Sequence, residues 1–221
     1  MTVSVDLVSD TVCPWCWLGH RYWAQARTLA RPIRTATQLR AFQLDPAIPR
    51  EGVDYKDYMK AKFAGAGSGS GSERWKAMRD HLEAAGPDAG ITFRFDEIKV
   101  RPNTLDCHRL IRWAEGQGLG EAMSEALFKA FFDELRDLSR HEVLAELAGE
   151  AGLDAATVSE LLATNRDEDA VQREEAFYRN LGVQGVPCFI FNGQFAVSGA
   201  EAPEALAAAI KEADQLPAED E

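Results

Sequence analysis

Cysteine and histidine are scarce in this 221-residue sequence, which contains four of each. A structural zinc site usually takes four cysteine or histidine ligands at short, regular spacing. Only Cys13 and Cys16 lie close together in the sequence. The other two cysteines, Cys107 and Cys188, are isolated, and the histidines form no close ligand pair. The sequence therefore predicts no metal site.

Long apolar segments are also absent. No run approaches the roughly 20 residues that a membrane-spanning helix needs. Residues 1–6 contain neither the basic nor the apolar segment of a secretory signal. We therefore expect a cytoplasmic protein without a membrane partner. In a reducing compartment, a close cysteine pair is more often catalytic or redox-sensing than structural.

Acidic residues outnumber basic ones. The sequence has 36 aspartate and glutamate residues and 24 lysine and arginine residues, for a net charge of −12. Nucleic acids and anionic membranes bind basic surfaces, so neither is an expected partner. The hydrophobic fraction of 46% and the charged fraction of 27% are ordinary for a globular protein. A chain of this length can bury a substantial core in one large domain or two closely packed ones.

The stretch that organises the chain is Cys13-Pro14-Trp15-Cys16, which follows an apolar, β-prone run at 3–8 and opens a helical pattern. A Cys-x-x-Cys at a strand-to-helix junction is typical of thiol redox sites. The free N–H groups and the dipole of a helix N-terminus favour a thiolate, so Cys13 is predicted to be the nucleophile. Pro14 suits the first helical turn. Cys16 lies one turn deeper on the same face and is predicted to be the resolving thiol.

Other interpretations of this pair must be weighed. The two cysteines could form half of a zinc site, a structural disulfide, or two buried thiols, since cysteine is among the most buried residue types. The zinc interpretation lacks two further ligands. The position at a helix start, with proline between the cysteines, favours the redox interpretation over the others.

Hydrophobic periodicity divides the chain into three parts. A β–α–β unit opens it (3–8, 13–30, 37–44), and a strand, an Asn192-Gly193 hairpin, a return strand and a helix close it (186–191, 194–197, 202–213). The middle is almost wholly helical, apart from a Gly/Ser-rich connector at 65–72. This order predicts an α/β, thioredoxin-like fold with a large all-helical insertion. The expected domains are a discontinuous thioredoxin-like domain (1–50 and 183–221) and a helical insertion domain (51–182).

Four segments carry a resemblance to a known family: Val8–Gly19, Arg101–Leu110, Gly185–Phe191 and Val197–Ala200. Together they resemble the DsbA-like thioredoxin oxidoreductases of the FrnE type, which are dithiol–disulfide isomerases. Kappa-class glutathione transferases and 2-hydroxychromene-2-carboxylate isomerases are relatives of that family. The resemblance covers nearly the whole chain.

The resemblance implies roles for several residues. Cys13 and Cys16 match the nucleophilic and resolving thiols, and Val186-Pro187 matches a pair whose proline is cis and faces the disulfide. The backbone of Val186 would then be exposed for strand-like pairing with an extended substrate. Pro14 and Trp15 lie between the cysteines, with Trp15 expected to face outward and touch the substrate.

Two residues of the second segment are further candidates. Asn103 and His108 are expected to line the cleft opposite the cysteines and bind the substrate. For His108, a hydrogen-bonded structural histidine is an equally weighted alternative.

Two cysteines depart from the family pattern. Cys107 replaces an alanine that is usual in relatives, and Cys188 directly follows Pro187. Both are interpreted first as small buried residues. The sharper hypothesis makes one of them an auxiliary thiol that exchanges with the Cys13–Cys16 pair, and Cys188 is preferred because it adjoins Pro187.

The predicted function is a thiol–disulfide oxidoreductase or isomerase without a bound cofactor, acting on protein or peptide disulfides. The thioredoxin or glutathione system is an expected redox partner, with glutathione as a co-substrate. Relatives suggest a homodimer. A glutathione-dependent transferase or isomerase of small aromatic substrates is one alternative, although such relatives generally use a serine near the first helix start. A peptide-binding holdase is the other.

Overall fold

The computed structural model describes residues 2–64 and 70–217. Its strands are β1 (Thr2–Ser9), β2 (Arg34–Ala41), β3 (Val53–Asp54), β4 (Val100–Arg101), β5 (Cys188–Phe191) and β6 (Phe195–Ser198). Its α-helices are α1 (Pro14–Leu29), α2 (Tyr55–Ala64), α3 (Ser70–Ala85), α4 (Leu105–Glu115), α5 (Gly120–Phe132), α6 (His141–Glu150), α7 (Ala155–Leu162), α8 (Glu168–Asn180) and α9 (Pro203–Gln215). Most of the connector predicted at 65–72 lies outside the described residues, and its last three residues begin α3 instead.

A mixed sheet with the strand order β2-β1-β5-β6 forms the base of the site. β1 is parallel to β2 and antiparallel to β5, which places Leu7 opposite Phe189. β5 and β6 form the predicted hairpin. Asn192 and Gly193 both have positive φ at its turn, 50° and 72°, as a type I′ turn requires. The β–α–β opening and the β–β–α ending are therefore confirmed.

Helices cover both faces of this sheet. α1 packs on one face, where the Trp23 ring lies 5.7 and 6.0 Å from the rings of Phe189 and Phe191. α8 packs on the opposite face, where Tyr178 joins Val8 in a separate apolar cluster. Because both faces are covered, the alternating burial of β1 becomes continuous at its C-terminal end. That buried end leads directly into the cysteine pair.

The helical segment is held to α1 by aromatic packing. The Trp17 ring stacks on Phe128 and Phe132 of α5 at 6.3 and 5.9 Å and meets Phe93 edge-on at 5.5 Å. One apolar core contains side chains from both predicted domains. The α/β thioredoxin-like fold with a helical insertion is confirmed, whereas its division into two domains stays a prediction. No helix in the described part of the chain is long and apolar enough to cross a membrane.

Candidate active site

Cys13 occupies the junction between β1 and α1. It is the N-cap of α1, with extended φ and ψ of −96° and 113°, and Pro14 takes the first helical position. The Cys13 carbonyl accepts the N–H of Cys16 at 3.0 Å. The residue is 4% exposed, so its sulfur lies just below the surface at the N-terminal end of the helix. The helix dipole acts on the sulfur at that point.

Val186 and Pro187, which directly precede β5, lie next to Cys13. The Val186–Pro187 peptide bond is cis, as the resemblance implied. The Cys13 thiol donates to the carbonyl oxygen of Val186 at 3.5 Å. Pro187 is buried and packs against Gly19 of α1, whereas Val186 is half-buried. The structure thus brings Cys13, Val186 and Pro187 together from opposite ends of the chain.

Cys16 lies deeper than Cys13 and is fully buried. Burial raises the pKa of its thiol well above the usual value, and the hydrogen bond and charge of the neighbouring Cys13 raise it further. Cys16 is therefore held as a neutral thiol. Both cysteines are present as free thiols in this structure. The two sulfurs have different environments, as a nucleophile and a resolving thiol need.

Trp15 and Pro14 form the outer surface of the pair, and both are half-buried. The Trp15 ring packs against His81 of α3, with 5.2 Å between ring centroids. The helical segment thus contributes a ring to the surface beside the cysteines. The substrate contacts expected for Pro14 and Trp15 stay predictions.

In the structure Asn103 is half-buried, and His108 is buried at the wall of a cavity between β2 and α4. The Asn103 amide donates to the carbonyl of Ile48 at 2.6 Å, and its oxygen accepts the N–H of Leu105 at 2.9 Å. It therefore fixes the start of α4. His108 is buried, and its Nε2 lies 3.5 Å from Oδ1 of Asp10. Nε2 of His108 has no hydrogen bond to a described group, so the structure favours neither interpretation of His108. Substrate binding by Asn103 and His108 stays a prediction.

Two further residues near the pair were not singled out from the sequence. Asp10 is fully buried, and its carboxylate accepts the N–H of Leu44 at 2.7 Å. Arg101 donates to the carbonyl of Val12 at 3.0 Å and pairs with Asp45 at 2.9 Å. Both lie within the segments that carry the family resemblance. For Asp10, the available signal was that it is the single charged residue of the segment Val8–Gly19.

The remaining cysteines lie on different sides of the sheet. Cys107 shares a core with Cys13 and Cys16. Burial raises the pKa of its thiol. Cys188 points to the opposite face, beside Val8, because successive strand residues alternate in direction. Adjacency to Pro187 in sequence thus gives no spatial reason to prefer Cys188, and the auxiliary-thiol hypothesis stays a prediction.

A substitution of Gly19 would test how closely α1 and Pro187 are packed. A Cβ at this position would lie 2.9 Å from Cγ of Pro187, which belongs to a ring and cannot rotate away. We expect Gly19→Ala to lower the free energy of unfolding by about 1–2 kcal/mol, because overpacking outweighs the gain in helix propensity. Because the substitution also shifts Pro187 relative to Cys13, thiol–disulfide turnover should fall. Denaturant unfolding and disulfide-reduction kinetics measure the two effects.

Gly149→Ala provides the matched control, since Gly149 is also helical but its new Cβ would meet only the Cβ of Ala155 at 3.4 Å. This variant should be as stable as the parent protein or more stable by up to about 1 kcal/mol. Equal behaviour of the two variants would contradict the packing argument.

Among the described residues, no group of three or more Cys, His, Asp or Glu side chains is placed to hold a metal ion. The arrangement around Cys13 and Cys16 instead suits thiol chemistry. One thiol lies at a helix N-terminus near the surface, and a second, neutral thiol lies behind it.

The chain is similar to a known protein family and to several individual proteins. The family described as DSBA-like thioredoxin domain matches residues 4–211. A probable DsbA oxidoreductase from Streptomyces coelicolor is 31% identical, and its crystal structure gives a TM-score of 0.86 over 97% of this chain and 92% of that chain. The uncharacterized protein YwbO of Bacillus subtilis (strain 168) is 25% identical over 214 residues, which are 96% of this chain and 98% of YwbO. The cytosolic disulfide reductase DsbM from Pseudomonas aeruginosa with GSH shares the fold at 17% identity, with a TM-score of 0.67 over 96% of this chain and 100% of that chain.

Proposed function

The chain belongs to the DsbA-like thioredoxin domain family, and we propose that it is a cytoplasmic thiol–disulfide oxidoreductase or isomerase that uses Cys13 and Cys16 on protein or peptide disulfides. The observation that carries this proposal is the difference between the two thiols. Cys13 lies near the surface at the N-terminus of α1, whereas Cys16 is fully buried and held neutral. Family membership supports disulfide chemistry in general.

The reaction follows from these positions. The Cys13 thiolate attacks one sulfur of a substrate disulfide, forms a mixed disulfide, and releases the other substrate sulfur as a thiolate. The sulfur of Cys16, once deprotonated, attacks Cys13 and releases the second substrate thiolate. The substrate gains two electrons and the protein pair becomes a disulfide. The reverse sequence oxidises a substrate dithiol.

The backbone beside Cys13 supports a peptide as the substrate. The carbonyl oxygen of Val186 lies 3.5 Å from the Cys13 sulfur, and Val186 is only half-buried. An extended peptide can pair with the backbone at Val186 and so reach Cys13.

Glutathione or thioredoxin is the proposed source of the electrons that return Cys13 and Cys16 to thiols. The DsbM structure described as containing GSH lends support to glutathione in this role. We do not favour the transferase alternative, because a cysteine rather than a serine occupies the start of α1.

A redox titration tests the proposal. The protein is equilibrated in glutathione buffers of graded potential, and every cysteine is then alkylated and identified by mass spectrometry. Cys13 and Cys16 should change together as one two-electron couple, with a potential between about −270 and about −120 mV. Cys107 and Cys188 serve as internal controls and should remain thiols throughout. Absence of a Cys13–Cys16 disulfide at every potential would overturn the proposal.

A further inference from the structure

A cavity of about 430 Å³ lies in the helical segment, between α2, α3 and residues 95–96. Its described lining residues include neither Cys13 nor Pro187, so it is separate from the thiol site. Cavities of roughly 300–1,000 Å³ with mainly apolar walls and a few polar groups are typical of small-molecule sites. The apolar lining residues are Tyr55, Met59, Phe63, Ala64, Trp75 and Phe95, and the charged ones are Lys56, Lys60, Arg79 and Asp96.

Aromatic rings form one wall of the cavity. The centroid of the Trp75 ring lies 5.1 Å from that of Phe63 and 5.9 Å from that of Phe95. Phe95 is buried, whereas Phe63 and Trp75 are only half-buried. The rings from α2 and α3 therefore keep accessible surface beside the cavity, on which a flat apolar ligand can stack.

The segment that joins α2 to α3 contains no large side chain that could fill the cavity. Its residues at 65–69 are Gly-Ala-Gly-Ser-Gly, and the largest of these side chains is that of serine. Accessible apolar surface with a polar rim marks an interaction site in many proteins. We therefore expect the occupant of the cavity to come from outside the chain.

The charged groups at the cavity favour an anion. Lys56 and Lys60 lie one turn apart on α2, and both are exposed. Neither forms an ion pair with another residue of the described part of the chain. Arg79, in contrast, is paired with Asp96 at 2.7 Å, which neutralises the one carboxylate of the lining. The rim is therefore locally positive, although the whole chain has a net charge of −12.

Tyr55 adds a hydrogen-bond donor to this lining. The residue is only 5% exposed, and no other described residue hydrogen-bonds to its hydroxyl. Buried polar groups without a partner are rare because they are unfavourable. The charges of Arg79 and Asp96, which line the same cavity, act on this hydroxyl. Burial raises its pKa to about 12, so it stays protonated at neutral pH and can donate to an anion.

We propose that this cavity binds a small aromatic anion, a flat ring system that carries a carboxylate or sulfonate group. The ring system stacks on Phe63 and Trp75. The acidic group lies at the rim, where it contacts the ammonium groups of Lys56 and Lys60 and accepts a hydrogen bond from Tyr55. A neutral aromatic compound would leave the two lysines unpaired, and an inorganic anion would leave the rings uncovered.

Fluorescence titration of the intact protein with two naphthalene probes tests this proposal. 8-Anilinonaphthalene-1-sulfonate carries an acidic group, whereas N-phenyl-1-naphthylamine has the same rings without it. The sulfonate probe should bind at a single saturable site. The double substitution Lys56→Gln, Lys60→Gln should weaken its binding about five- to tenfold, as expected for two solvent-screened charge contacts. Binding of the neutral amine should stay within about twofold, because it makes no such contact.

Matched variants control for charge and for apolar surface elsewhere. Lys129→Gln with Lys211→Gln removes the same charge from exposed positions on α5 and α9 and should change neither affinity. Phe63→Ala should weaken both probes about tenfold through the lost ring contact. Phe177→Ala, which removes a 58% exposed ring of α8, should weaken neither.

The double lysine variant of α2 changes only exposed side chains, so the test stays decisive even if Phe63→Ala does not fold. Binding of the sulfonate probe without saturation would overturn the proposal. An unchanged affinity for that probe in the double lysine variant of α2, or an equal loss for both probes, would also overturn it. A loss in either control variant would place the probe at another surface and overturn it likewise.

Discussion

Cys13→Ser should abolish thiol–disulfide turnover, with a rate at least about 10³-fold below that of the parent protein. Cys13 forms the first covalent bond with the substrate in the proposed reaction, and a serine hydroxyl is not ionised at neutral pH. Cys16→Ser should retain the first step and accumulate the mixed disulfide, because the buried thiol that resolves it is gone. Reduction of a peptide disulfide, combined with mass spectrometry of quenched samples, measures both outcomes.

Cys188→Ala is the control for these variants. It also removes a buried cysteine, but one whose side chain lies on the opposite face of the sheet from α1. Turnover within about twofold of the parent would show that the loss in Cys13→Ser is specific, since most substitutions away from the reacting atoms leave catalysis intact. That result would also remove Cys188 as an auxiliary thiol. Substantial turnover in Cys13→Ser would contradict the assignment of the nucleophile.

The local sequence pattern was sufficient to predict those parts of the fold that depend on residues adjacent in the chain. The apolar run before Cys13, the proline after it and the Asn192-Gly193 turn each specify a local backbone geometry, and the structure has a strand, a helix start and a hairpin at these places. The β2 strand was placed three residues too late, at 37–44 instead of Arg34–Ala41. Its first two residues, Arg34 and Thr35, are polar and not buried, so the apolar pattern begins only after the strand has begun.

Side-chain contacts between distant segments could not be predicted in this way. The family-like segment predicts either a substrate cleft or a structural role for His108, and neither interpretation includes its contact with Asp10, which is 98 positions earlier in the chain. Cys188 was preferred over Cys107 because of its neighbour in sequence, although strand alternation turns it to the other face. Neither placement follows from the sequence, because adjacency in sequence does not determine the direction of a side chain, whereas packing of the whole chain does.

Arg101 should contribute strongly to stability, because it connects the loop before Cys13 to the helical segment. Its side chain is only 5% exposed, and its two terminal nitrogens contact the carbonyl of Val12 and the carboxylate of Asp45. Burial opposes the ionisation of Asp45, yet hydrogen bonds from Tyr58 and Lys62 and the charge of Arg101 lower its pKa. Arg101→Met leaves the Val12 carbonyl without this donor and removes a positive charge from Asp45. We expect the free energy of unfolding to fall by about 3 kcal/mol, near the lower end for a broken buried pair because Asp45 keeps two partners.

Arg79→Met is the matched control in denaturant unfolding. Arg79 also lies over aromatic rings, as Arg101 lies over Tyr58, but its main partner Asp96 is 79% exposed. Solvent screens such a pair, so this variant should lose no more than about 1 kcal/mol. Arg101→Met should in addition speed alkylation of Cys13, because the loop at Val12 loses its anchor, whereas Arg79→Met should not. Similar losses of stability with no change in alkylation would mean that Arg101 acts only through its ring contact, since that contact is the feature the two arginines share.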